Sequence, residues 1–158
     1  MHLYHGSNVE VSNPQILESD RRLDFGKGFY LTSSFDQAKR WAELTVKRRE
    51  TGKATVSVFD FDDTSVSDLK ILHFTQAQKE WLEYVTMNRK NQVIPNDDYD
   101  IVIGPVANDR TMPVITLYFA GIYDIEETIK RLMPQKLCDQ YTCRTENAIK
   151  KLKFLEVK

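Results

Sequence analysis

The chain has 158 residues, 41% hydrophobic and 28% charged, with 22 Lys and Arg against 23 Asp and Glu for a net charge of −1. That length suits one domain over residues 1–158 with one substantial core, and the composition is that of an ordinary soluble globular protein. The charge balance excludes a global field that recruits nucleic acid or anionic membrane, although Lys130–Lys158 alone carries 8 basic against 3 acidic residues.

The opening MHLYHGSN has neither the basic start nor the apolar stretch of a signal peptide, and no run approaches the roughly 20 apolar residues of a membrane span. Cys138 and Cys143 lie five apart in a predicted strand, which sends them to opposite faces and predicts no disulfide. Three histidines and no Cys/His cluster with ligand spacing predict a metal-free protein. The expectation is a cytoplasmic chain without membrane contact.

In chain order, His2–His5 predicts a short strand, followed by a loop over Asn8–Phe25 anchored by Val9, Val11, Ile16 and Leu17. Gly26 and Gly28 flank a turn, and Phe29–Leu31 is a β-prone run. Ser34 with Gln37 has the pattern of a capping box, opening a helix from Phe35 to about Glu50 with Gly52 as its stop. Strands are expected at Ala54–Phe61 and Leu69–Phe74. Thr75 with Gln78 predicts a second capping box, for a helix to Arg89 with Trp81, Tyr84 and Val85 inward. After a turn at Pro95–Asp98, Tyr99–Val106 has the strongest buried-strand pattern. Helices follow from Pro113 to Ala120 and from Asp124 to before Pro134. A strand (Leu137–Arg144), a short helix (Thr145–Leu152) and a last strand (Lys153–Val157) complete the chain. Strands and helices mix without a regular βαβ alternation, which predicts an α+β fold with a split, mainly antiparallel sheet and flanking helices.

The polar groups placed for chemistry are His5, Tyr30, Asp109, Arg110 and Gln140. His5 stands at a strand end before Gly6 and Ser7, and Tyr30 sits in an apolar strand. Asp109 and Arg110 follow the most buried strand, and Gln140 shares a strand face with Thr142 and Arg144. Taken singly, each fits an ordinary structural role at least as well as a chemical one. A polar strand face usually meets solvent.

Together they resemble a known pattern. YHGS (Tyr4–Ser7) and FGKGFYLTSS (Phe25–Ser34) resemble the first two signature blocks of the diphtheria-toxin and poly(ADP-ribose) polymerase branch of the ADP-ribosyltransferases. QYTCRTENAIKKLKF (Gln140–Phe154) resembles the third, except that Gln140 stands where that branch carries a catalytic glutamate. The likeness extends over nearly the whole chain, and is nearest to bacterial domains of this type whose function is unknown.

The resemblance implies an NAD-dependent transferase of the glycosyltransferase type, with His5, Tyr30 and Gln140 as its triad. His5 would bond the adenosine ribose, the Gly6 backbone and Ser7 the nicotinamide amide, and Tyr30 would stack on the nicotinamide ring. Phe25 and Gly28 would also lie against NAD. Trp41 would sandwich the ring from the helix side, with a core role equally open, and Ala38 would keep the pocket floor small. Arg21 or Arg22 would meet the pyrophosphate, since a guanidinium matches phosphate geometry. Asp109 and Arg110 would serve the acceptor side, as base and charge clamp.

Cleaving the nicotinamide–ribose bond leaves an oxocarbenium-like centre that wants negative charge beside it. Gln140 accepts a hydrogen bond but carries no charge, a deficit of about 1–3 kcal/mol in a dry site, and it cannot serve as a general base. That favours single ADP-ribose transfer over chain elongation, with the acceptor a protein or a nucleic acid. Glu146, six residues on in the first turn of the short helix, is a candidate substitute carboxylate. Higher NAD hydrolysis by a Gln140→Glu variant would place that residue at the anomeric carbon. The small domain suits a bacterial toxin or defence effector restrained by a partner protein. The alternatives are an NAD or ADP-ribose-binding module without turnover, and 2′-phosphate transfer from RNA to NAD. The last needs several phosphate-clamping arginines, for which Arg21, Arg22, Arg110 and Arg144 are the candidates.

Overall fold

The structure, a computed structural model, describes residues 1–18, 21–108 and 110–158. Twelve elements are laid out as β1 (His2–Ser7), β2 (Phe29–Leu31), α1 (Phe35–Arg49), β3 (Thr55–Phe61), β4 (Ile71–His73), α2 (Lys79–Arg89), β5 (Ile101–Pro105), α3 (Met112–Phe119), α4 (Ile125–Leu132), β6 (Asp139–Cys143), α5 (Glu146–Ile149) and β7 (Leu152–Val157). The fold is α+β. One sheet has the order β1-β3-β7, the other β2-β6-β5-β4, and every pairing is antiparallel except β4 with β5. The sheets touch where Tyr4 and Thr32 exchange backbone hydrogen bonds of 2.9 and 3.0 Å. Beyond that bridge β1 and β2 part.

Two cores follow from this division. Leu3, Phe29, Leu31, Phe59, Phe61, Ile101, Ile103 and Cys143 fill the first, while Phe25, Trp81, Leu82, Tyr84, Val85, Val102 and Ile115 fill the second. β6 borders both. Tyr141 and Cys143 face the first core. The opposite face, expected to meet solvent, is enclosed instead: Gln140 is 2% exposed and Thr142 0%. α2 and the loop before β2 cover it.

Helix α1 is set by its ends and by one glycine. Ser34 Oγ accepts from the Gln37 N–H at 3.2 Å, as expected, but the Ser34 N–H is bonded by Thr32 Oγ1, so only half of the capping box forms. The left-handed C-terminal residue is Glu50 (φ 55°), not Gly52, and its N–H closes on the Val46 carbonyl. Gly52 (φ 78°) has another task, since a Cβ there would lie 2.1 Å from the Asn8 carbonyl oxygen. A Cβ at Gly6 would lie 1.9 Å from the Ala38 carbonyl oxygen, so α1 rests directly on the β1 backbone. Ala38 therefore packs behind the strand.

Elsewhere the ends shift. The Thr75 cap does not form; α2 begins after Gln78, which makes no side-chain cap bond. Asp124 does cap α4, accepting from the Glu127 N–H at 2.8 Å. Of the loop anchors, Val11 and Ile16 pack on the first core while Val9 and Leu17 stay 51% and 67% exposed. Both cysteines are free. Among the described residues no helix is long and apolar enough to cross a membrane.

Candidate active site

Where the two sheets part, a cavity of about 580 Å³ opens between β1, β2, the end of β6 and one face of α1. That volume lies within the usual range for small-molecule sites. His5, Gly6 and Ser7 reach it from β1, Gly28, Phe29 and Tyr30 from β2 and its turn, Gln140 from β6, and Trp41 from α1.

His5 is oriented by the neighbouring strand. Its Nδ1 lies 2.7 Å from the Tyr30 carbonyl oxygen, which can only accept, so Nδ1 carries the proton and Nε2 keeps a lone pair. Burial lowers its pKa, aided by the Arg49 charge and opposed by the Tyr30 bond, which favours the neutral ring. The imidazole stacks on Phe29 with centroids 4.3 Å apart. Tyr30 has no hydroxyl to spare. Its O–H donates to the Gly26 carbonyl at 2.6 Å and accepts from the Phe25 N–H at 3.1 Å, and burial raises its pKa above the ordinary range. Gly26 adopts φ 76° to bring that carbonyl round. Tyr30 thus offers a ring face, not an acid.

Gln140 is bound from behind. Its Nε2 donates to Asp24 Oδ2 at 3.1 Å and to the Pro105 carbonyl at 3.3 Å. A reversed amide would set an oxygen against two acceptors, so Oε1 must point the other way. Among the described residues only Thr142 Oγ1 is a fully enclosed side-chain polar atom without a partner. Oε1 is engaged by no described group, and Gln140 lines the cavity. Asp24, whose side chain is 5% exposed, is held by Arg89 with Nε and Nη2 each 2.6 Å from Oδ1. The Pro105 carbonyl also accepts from Trp81 Nε1 at 2.9 Å.

Arg21, Arg48, Arg49 and Arg89 line the same cavity, and among the described residues Asp24 is the one carboxylate in its lining. Arg49 donates to Asn8 Oδ1 at 3.0 Å. Partial burial and the nearby charges of Arg21 and Arg49 lower the Arg48 pKa, as expected of guanidiniums gathered at one mouth.

Several expected site residues stand elsewhere. Phe25 is 0% exposed and packs against Phe74 and Tyr84 in the second core. Ala38 lies behind β1 and is not pocket floor. Arg22 is exposed outside the cavity lining. Arg110 is exposed too, its N–H bonded by Asn108 Oδ1, while Asp109 lies outside the described residues. Arg144 is bound bidentate to Asp97 and reaches no phosphate site, and Glu146 is exposed on α5. The residues sequence reasoning missed are Asp24, Arg48, Arg49 and Arg89. For two of these the signal was present: Trp41, Leu44, Thr45, Arg48 and Arg49 stand at i, i+3, i+4, i+7 and i+8 on one helical face. No group of three or more His, Cys, Asp or Glu that could hold a metal occurs among the described residues.

By fold and site this is an α+β protein with a ligand-sized cleft between two split sheets. The family model described as "Protein of unknown function (DUF3990)" matches residues 1–154, and the chain belongs to that family. No curated protein matches it.

Proposed function

We propose that this protein is an NAD-dependent mono-ADP-ribosyltransferase, moving ADP-ribose from NAD to a macromolecular acceptor with release of nicotinamide. The observation that carries the reading is the convergence of His5, Tyr30 and Gln140, from three strands far apart in sequence, on one cavity. These are the three positions that the resemblance to ADP-ribosyltransferases singles out.

In this reading the nicotinamide lies against the Tyr30 ring, with Trp41 lining the opposite, helical side. Gly6 lies two residues past Tyr4 on β1, so its N–H and C=O project from the edge that Tyr4 uses on Thr32 and face the carboxamide. His5 Nε2 accepts from a ribose hydroxyl, and the arginine mouth takes the pyrophosphate. The C–N bond between ribose C1′ and nicotinamide breaks with its electron pair going to nicotinamide. The acceptor's lone pair bonds C1′, and its proton passes to solvent. Gln140 Oε1 accepts from the ribose hydroxyl as positive charge develops. A role as toxin or defence effector held in check by a partner protein is part of the same proposal.

The test is incubation with NAD labelled in its adenylate half and a cell extract, beside His5→Ala and Gln140→Ala. Label on a macromolecule that disappears in both variants is the expected result. Saturable NAD binding without label transfer or nicotinamide release would reduce the function to a binding module. A second reading, 2′-phosphate transfer from RNA to NAD, is favoured by the four arginines at the cavity. An RNA bearing a 2′-phosphate, added in place of the extract, distinguishes the two by loss of that phosphate.

A further inference from the structure

The cleft lacks the acid that the resemblance calls for at position 140, yet it is not without a carboxylate. Asp24 stands immediately behind Gln140, inside the Gly26 turn that carries Tyr30. Its two oxygens are divided. Oδ1 is taken by Arg89, while Oδ2 accepts from Gln140 Nε2 at 3.1 Å. We propose that Asp24 is a positioning residue that supplies the negative charge of this site and works through Gln140, holding the amide so that Oε1 faces the ligand.

The chemistry follows from the bonding. An amide N–H bound to a carboxylate is polarised, which raises the negative charge on its own oxygen. The Pro105 carbonyl, 3.3 Å from the same Nε2, excludes the flipped amide, so acceptor and donor ends cannot exchange. A charge on Asp24 and a contact atom on Gln140 together do what one carboxylate would do alone. The arrangement also explains why position 140 is an amide. A glutamate there would put a second carboxylate beside Asp24 in a site where Gln140 is 2% and Asp24 4% exposed. Two such carboxylates cannot both stay ionised without a severe penalty. The groups facing this pair are Arg89 from α2, His5 and Tyr30 across the cavity, and Arg144 farther along β6. Of these, Arg89 is already committed to Asp24. A glutamate at position 140 is therefore expected to lower activity, not to raise it.

The swap of the pair tests this, and its kinetic arm rests on the NAD reading. Wild type, Asp24→Asn, Gln140→Glu and the double variant are compared by thermal unfolding without ligand and by nicotinamide release from NAD. Gln140→Glu is expected to melt below wild type and to lose about tenfold or more in kcat, with KM changed far less. Asp24→Asn is expected to lower kcat also. The double variant restores one acid and one amide, and is expected to melt above Gln140→Glu and to regain activity to within about threefold of wild type. Melting losses that simply add in the double variant would overturn the proposal, as would a Gln140→Glu protein more active than wild type. If the melts are coupled while wild-type protein neither binds nor cleaves NAD, the pairing stands and the NAD reading falls.

Discussion

Two partly buried polar clusters, each built on an arginine–aspartate pair, sit at opposite ends of the same face of β6. At one end Arg144 grips Asp97 with bonds of 2.7 and 2.9 Å, and Tyr84 closes the group by donating to Asp97 at 2.6 Å and accepting from Arg144 at 3.0 Å. At the other end Arg89 grips Asp24, and Asp24 in turn holds Gln140. The first cluster is saturated, packed under α2 and away from the cleft. The second leaves one acceptor, Oε1, without a described partner on a residue that lines a cavity. Buried charge by itself therefore does not mark a site. What marks it is a buried network that stops one hydrogen bond short, at a surface where a ligand can supply the rest.

The largest effect is expected at the closed end. Arg144→Ala leaves the Asp97 carboxylate with only Tyr84 in a poorly hydrated place, and should cost about 3 kcal/mol of stability in urea unfolding. NAD affinity of the folded fraction should stay unchanged. A drop in affinity matching the drop in stability would erase the distinction between the two clusters.

Tyr30→Phe comes next. It strips the Gly26 carbonyl and the Phe25 N–H of their shared hydroxyl, which should cost about 1–2 kcal/mol. The ring face remains, so nicotinamide release should persist, measured by chromatography. If release vanished with the fold intact, Tyr30 would be an acid and not a platform.

Arg48→Ala should leave unfolding unchanged and weaken NAD binding about three- to tenfold in a calorimetric titration, the loss shrinking as salt rises. Equal affinity at low and high salt would remove the arginine mouth from the ligand path.

The smallest effect is a pH slope. Because burial lowers the pKa of His5 below its ordinary 6.5, the unfolded chain takes up the proton first as pH falls. The stability contributed by the neutral ring is complete above about pH 6.5 and declines as pH falls toward the depressed folded value. His5→Gln should flatten that part of the profile between pH 7.5 and 5. An unchanged slope would mean that His5 is solvated.

The order and type of the elements were legible in the sequence because periodicity, glycine turns and Ser or Asp caps act locally; α1, α2, β5 and β6 lie within a few residues of their expected places. The ends that moved did so through tertiary contacts. Gly52 serves the Asn8 carbonyl instead of the helix stop, and Thr75 is left without a helix to cap. The alternation along β6 was read correctly, but not what covers its polar face, since Gln140 and Asp24 are 116 residues apart and Arg89 and Asp24 are 65 apart. No local pattern reports such a pairing. The glycine of the YHGS block shows the converse: its place is demanded by the Ala38 carbonyl on α1, a packing reason that its sequence context does not reveal.

The most direct measurement follows NAD by proton NMR in the presence of the protein, with and without a cell extract supplying acceptors. The account predicts that free nicotinamide signals grow with time for wild type and are absent for His5→Ala. NAD signals that neither broaden nor decay, at protein concentrations high enough to reveal millimolar binding, would contradict it.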